Sequence, residues 1–260
     1  NNKMQPQVFE EYSDDHLYKV MTGDATLPVD MFTKQSKSSS SSSSNLEKGT
    51  GEIKVIAHIC NDIGGWGKGF VVAVSKRWKE PEAFFRRWYK STHLTLCAQK
   101  LAEIKSGKKV KVPPAPTVLI DLIDNEKFPE FKLGNMILVK CSATIYVADI
   151  VGQRDIKRRK DDKSKLPPVR YEAIEAGLSA MTQQIKQQFP KQHVSVHMPR
   201  IGCGLAGGKW PIVGKLVDDC VSKAGIPVMV YDFSPPPRRK SNNKNRNKNN
   251  KNKNKNKNKN

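Results

Sequence analysis

Two stretches of this chain share one uncommon design: a strand-length apolar run, four glycines in a short loop, then the start of an amphipathic helix. In the first, IKVIAHI (53–59) leads into CNDIGGWGKGF (60–70) and a helical stretch from Phe70 to Trp78. In the second, VSVHM (194–198) leads into PRIGCGLAGGKW (199–210), and Pro211 stands where a first-turn proline belongs. Glycine tolerates φ > 0 and close backbone approach, so successive N–H groups can turn into one concavity. The N-terminus of the helix that follows adds partial positive charge at the same place. One such loop is a phosphate site; two facing each other fit a diphosphate. A glycine at a strand–helix junction is often turn chemistry alone. The repetition, with a tryptophan beside each loop, favours the anion-binding reading.

The remaining periodicities supply the frame. HLYKVM (16–21), NMILVK (135–140), ATIYVADIV (143–151) and VMVYDF (228–233) read as strands. Tyr171, Ile174, Leu178, Met181, Ile185 and Phe189 recur at steps of three and four, one buried helical stripe. Ile212, Leu216, Val217, Cys220 and Val221 line another, stopped by Gly225 and Pro227. EPEAFFRRWYK (80–90) adds a helical turn or two, and LCAQKLAEI (96–104) a separate short helix. Strands alternating with helices predict an α/β fold of three layers, α/β/α, around a largely parallel, mixed central sheet. The familiar nucleotide folds fail. Gly202, Gly204 and Gly207 spell the dinucleotide fingerprint, but one strand remains after it, too few to complete that fold. The phosphate-loop pattern breaks at Gly208–Lys209–Trp210.

Charge separates body from tail. Of 46 Lys and Arg, eleven lie in residues 234–260, leaving 35 against all 25 acidic residues in the body. That tail, Asn and Lys in near-alternation, buries nothing apolar and is expected to be disordered. Residues 1–15 read as an N-terminal extension and 16–233 as one domain, with a Ser-rich insert at 36–45 and an elaboration at 91–132. No apolar run is long enough to cross a membrane as a helix. No basic-then-apolar leader opens the sequence, and a chain starting on Asn leaves open what precedes it. Five scattered cysteines without a C-x-x-C pair fit a reducing compartment, cytosolic or nuclear, and no zinc ribbon.

The succession GDAT, HICNDIGGWGKGF, VHMPRIGCGLAGGKW and VYDF resembles the macrodomain family of ADP-ribose-binding modules. VHMPRIG with GIPVMVYDF is especially similar to the macrodomain of a chromatin-remodelling ATPase, and MPRIGCGL to the terminal ADP-ribose glycohydrolase branch. The resemblance implies that Asp24 accepts the adenine amino group and that Tyr231, or Phe233, stacks on the base. It places Asn61 and Asp62 on ribose hydroxyls, with Gly64, Gly65, Trp66, Gly67 and Gly69 wrapping the distal ribose. It puts the diphosphate on Gly202, Cys203, Gly204, Leu205, Ala206 and Gly207. Each has a plainer reading: Asp24 as a turn residue, Tyr231 and Trp66 as core, Lys68 and Lys209 as solvated charge. Cys203 reads as a small residue in a tight turn, and His58 and His197 as satisfied core histidines.

The same resemblance separates binding from catalysis. The glycohydrolase branch uses a lysine just after the strand matching 143–151 and an aspartate directly after GCGL. Here Gly152 and Gln153 stand near the first position and Ala206 at the second, and a methyl group is neither base nor nucleophile. The expectation is therefore a binding module for free or protein-linked ADP-ribose. The alternative is a hydrolase of ADP-ribose derivatives, an ADP-ribose 1''-phosphate phosphatase or a de-ADP-ribosylating enzyme, with Asp62 as the acid available for catalysis. No cofactor and no metal is expected. The chain is expected to be a monomer without membrane association, its tail (234–260) open to salt-sensitive, non-specific contact with nucleic acid.

Overall fold

The computed structural model describes residues 16–32, 51–105, 128–156 and 166–233. The N-terminal extension, the Ser-rich insert, residues 106–127 of the 91–132 elaboration and the basic tail lie outside them. The elements in chain order are β1 (Lys19–Thr22), β2 (Ile53–Asn61), α1 (Phe70–Arg77), α2 (Glu80–Lys105), β3 (Met136–Lys140), β4 (Ile145–Gln153), α3 (Tyr171–Gln188), β5 (Val194–Pro199), α4 (Trp210–Cys220) and β6 (Val228–Asp232). The strands form one sheet in the order β1-β6-β5-β2-β4-β3. Every neighbouring pair is parallel except β3 with β4.

β2 lies between β5 and β4, and both its faces are covered, which is why its sequence is apolar almost throughout rather than alternating. Val55 and Ala57 join the core beneath α3 and α4, with Ile174, Leu178, Val213 and Val217. Ile56 and Cys60 point to the opposite layer, beside Val74 of α1 and Phe85 and Trp88 of α2. The two helical layers and the sheet between them are the three-layer α/β/α arrangement that the sequence predicts.

Two local expectations change. Residues 80–90 and 96–104 belong to one helix of 26 residues, because no glycine or internal proline breaks the chain after Pro81 in the first turn. Glu80 and Glu82 complement the dipole at its start. At the other end of the chain, α4 stops at Cys220 and tightens into a 3-10 turn, Ser222–Ala224, before Gly225 reverses direction at φ 84°.

The fit of α3 on β4 depends on Gly177. A methyl there would run into Cγ2 of fully buried Ile150. Gly→Ala inside a helix ordinarily gains about 1 kcal/mol of propensity, whereas overpacking a core costs about 1–3 kcal/mol. Gly177→Ala is expected to lower unfolding stability, against the propensity trend, in denaturant titrations monitored by circular dichroism.

Candidate functional site

Because β2 and β5 are parallel neighbours, the loops that leave their carboxyl ends emerge side by side. They line one cleft of about 560 Å³, floored by the ends of β2 and β5 and closed on one side by Gln153 and Ile156. The loops approach each other across it: a Cβ built on Gly69 would sit 3.7 Å from Leu205 Cδ1. The N-termini of α1 and α4 follow directly on the two loops.

The first loop is shaped by Asn61. Its Nδ2 donates to Gly65 O at 2.6 Å, and its Oδ1 accepts from Gly65 N at 2.8 Å and Ile63 N at 3.3 Å. One amide thus folds the backbone of 61–65 around itself. Asp62 does not line the cleft. Its Oδ1 accepts the Asp155 N–H at 2.7 Å, tying the loop to the segment after β4, where Gln153 Nε2 also donates to Asp155 O. Trp66 walls the cleft and is 9 % exposed, its indole N–H held by Ser75 at 2.7 Å and its ring set edge-on to His58.

The second loop closes on itself. Gly208 N donates to Gly202 O at 2.8 Å and Gly207 N to Gly204 O at 3.1 Å. A Cβ on Gly208 would stand 2.7 Å from that Gly202 oxygen, so no other residue permits this closure. Among the described residues no hydrogen-bond partner is recorded for the N–H groups of Gly204, Leu205 and Ala206. Val169 N takes the Ala206 carbonyl at 3.1 Å, fixing the loop from behind.

Of the residues singled out from the sequence, Asn61, Gly65, Trp66, Gly67, Gly69, Gly202, Gly204, Leu205 and Ala206 line the cleft. Asp24, Asp62, Gly64, Cys203, Gly207, Tyr231 and Phe233 do not. Burial pushes the Cys203 thiol up, away from nucleophilic use. Burial also draws the Asp24 carboxyl up, but hydrogen bonds from Thr26 and Arg77 outweigh it and hold the group below its ordinary range. Phe233 is 71 % exposed.

Tyr231 is buried beneath residues 23–31 as part of a polar chain. Val29 N–H donates to its hydroxyl, so the hydroxyl proton goes to His197 Nδ1 at 2.9 Å. That leaves the ring hydrogen on His197 Nε2, facing Ser195 at 2.8 Å; Ser195 donates to Glu52, whose second oxygen accepts Met31 N–H. His197 is thus a satisfied core histidine, as its place on a strand predicts.

Sequence reasoning passed over Arg200. It reaches the cleft from the end of β5, forks onto Asp232 at 2.5 and 2.7 Å, and lies over the Trp210 ring at 5.0 Å. The Asp232 hydrogen bonds raise its pKa further. A basic residue immediately ahead of a glycine loop was the available signal.

A solved protein of unknown function from Bacteroides thetaiotaomicron is 35 % identical, over 82 % of this chain and 96 % of its own, with TM-score 0.54. A macrodomain protein from Streptomyces coelicolor is 32 % identical over 83 % of this chain and 97 % of its own, with TM-score 0.49. Among curated proteins, mouse chromodomain-helicase-DNA-binding protein 1-like is 25 % identical over 193 residues. A DNA ADP-ribosyl transferase–DNA ADP-ribosyl glycohydrolase fusion protein of Thermosipho africanus is 40 % identical over 58 residues. The chain spans 17 % and 14 % of the lengths of those two. No protein-family model matches. At a third identity across nearly the whole of a macrodomain protein, the chain belongs to the macrodomain family.

Two outcomes follow from the geometry. Burial, with Lys54 nearby, lowers the His197 pKa from 6.5 to about 3. The unfolded chain therefore binds one more proton between those values, so stability is intact above pH 6.5 and falls on acidification at about 1.4 kcal/mol per pH unit from this group. Urea unfolding at pH 7 and pH 5 is expected to show that slope, reduced in His197→Gln. Asn61→Ala is expected to free the 61–65 turn, read as faster amide exchange at Gly65, with the sheet amides unchanged.

Proposed function

We propose that the cleft binds ADP-ribose, free or attached to a protein, with its diphosphate between the two glycine loops. The observation that carries this is the row of amides at Gly204–Ala206, without hydrogen-bond partners among the described residues, on the wall of a cleft that a second glycine loop and two helix N-termini share. Amide dipoles of this kind favour a dianionic diphosphate without needing a paired lysine, and Lys68 adds charge on the facing loop. The cleft volume matches that of pockets for ligands of nucleotide size. Arg200 borders the cleft at the end of β5 and, its plane held by Asp232, offers a flat cation for the base, the role that the sequence resemblance gave to an aromatic ring.

In this reading Asn61 and Asp62 act on the ligand indirectly, by holding the loop. The resemblance had given them the ribose hydroxyls. Asp62, the acid available to a hydrolase, spends one oxygen on the Asp155 amide, and Ala206 offers no general base. Binding is therefore favoured over turnover. The partial match to the glycohydrolase fusion protein keeps hydrolysis as the second reading. The basic tail adds non-specific contact with nucleic acid in either case.

Calorimetry of the full chain with ADP-ribose is expected to give one site per chain. A Cβ at Gly204 meets nothing within 4 Å, so Gly204→Glu leaves the fold intact while setting a carboxylate against the diphosphate. It is expected to weaken binding at least tenfold at unchanged melting temperature. Unaltered affinity would remove the second loop from the site. Incubation with ADP-ribosylated protein, ADP-ribosylated DNA and ADP-ribose 1''-phosphate is expected to release no product, and turnover would overturn the binding-module reading.

A further inference from the structure

Beneath the first loop lies a polar cluster that the diphosphate reading does not use. His58 and Cys60 are two apart on β2 and so share one face, and Asp149 is the direct partner of His58 on β4. An H-x-C pair on one strand with a carboxylate across the ladder brings an imidazole, a thiol and a carboxylate together by sheet geometry alone. His58 Nε2 lies 2.6 Å from Asp149 Oδ1, and Cys60 Sγ lies 3.7 Å from His58 Nδ1. All three side chains are buried, at 2 %, 3 % and 0 % exposure, yet His58 and Cys60 also border the cleft.

We propose that His58, Cys60 and Asp149 form a binding site for a thiophilic divalent cation of the Zn2+ type, its remaining coordination position open to the cleft. One donor atom from each lies within 4.8 Å of the others. A tetrahedral zinc site needs donors about 3.5 Å apart, given bonds of about 2.0–2.3 Å, so the hydrogen-bonded His58–Asp149 pair, now at 2.6 Å, opens to admit the ion while the widest donor separation, within 4.8 Å, closes around it. The second oxygen of Asp149 is buried and has no hydrogen-bond partner among the described residues, a costly state for a carboxylate that a cation relieves. Its other oxygen pairs with His58, and burial pushes the carboxyl pKa up. A thiol in the donor set selects zinc-like ions over Mg2+ or Ca2+. Three protein donors with a fourth position facing a cleft is the arrangement of a zinc that meets a ligand or water, unlike a closed structural site.

This inference stands apart from the ADP-ribose reading and is tested without that nucleotide. Full-length protein stripped with chelator is titrated with Zn2+ by calorimetry and with Co2+ by absorption, where a thiolate ligand gives a strong near-ultraviolet charge-transfer band. The expected result is one equivalent per chain, the band present, and affinity reduced at least tenfold in Cys60→Ser and in Asp149→Asn. A variant with Cys97, Cys141, Cys203 and Cys220 all replaced by serine keeps Cys60 alone and is expected to retain the band, which guards against misfolding of the ligand variants. Absence of the band in the wild type, or its loss in that four-serine variant with the fold intact, overturns the proposal. Equal Zn2+ affinity in Cys60→Ser does so as well.

Discussion

The structure turns on the seat of β2 between two parallel neighbours. A strand hydrogen-bonded on both edges and covered on both faces cannot shift register without burying or exposing its whole set of side chains. Its carboxyl end is therefore a fixed point, and β5 runs beside it in the same direction, Ile56 against His197, to end three residues short of it. Two loops rooted there must share a rim. The cleft is a consequence of strand order and needs no special contact to create it.

The same burial explains how much of the molecule was legible beforehand. Strands of the central sheet announced themselves as β-branched runs, and α3 and α4 as single apolar stripes, because burial on one or two faces leaves a periodic trace. The length of α2 was obscured, since STHLT (91–95), with its Ser and Thr residues, reads as a break between two helical stretches. Glycine loops were legible as sites because phosphate-sized concavities require that residue. The side-chain roles inside them were less so. Asn61 and Asp62 are equally suited to a ribose or to a backbone amide, and only the fold reveals that the loop itself takes them.

Tyr231 and Arg200 make the same point from opposite directions. An aromatic residue at the end of the last strand has the composition of a base-stacking platform, yet its hydroxyl is drawn into the chain that links Val29 to Glu52. An arginine before a glycine loop reads as solvated charge until a bidentate carboxylate and an indole fix its plane. Cross-strand partners such as His58 and Asp149 are invisible in a linear reading, being 91 residues apart.

The turn that Asn61 holds from within carries a kinetic consequence. Since its amide already makes the contacts that bend residues 61–65, the surface proposed for the ligand is formed in advance and has little conformational freedom left to surrender. Encounter then resembles docking onto a rigid mould, and differences in affinity among related guests should arise in how long each stays rather than in how quickly it arrives.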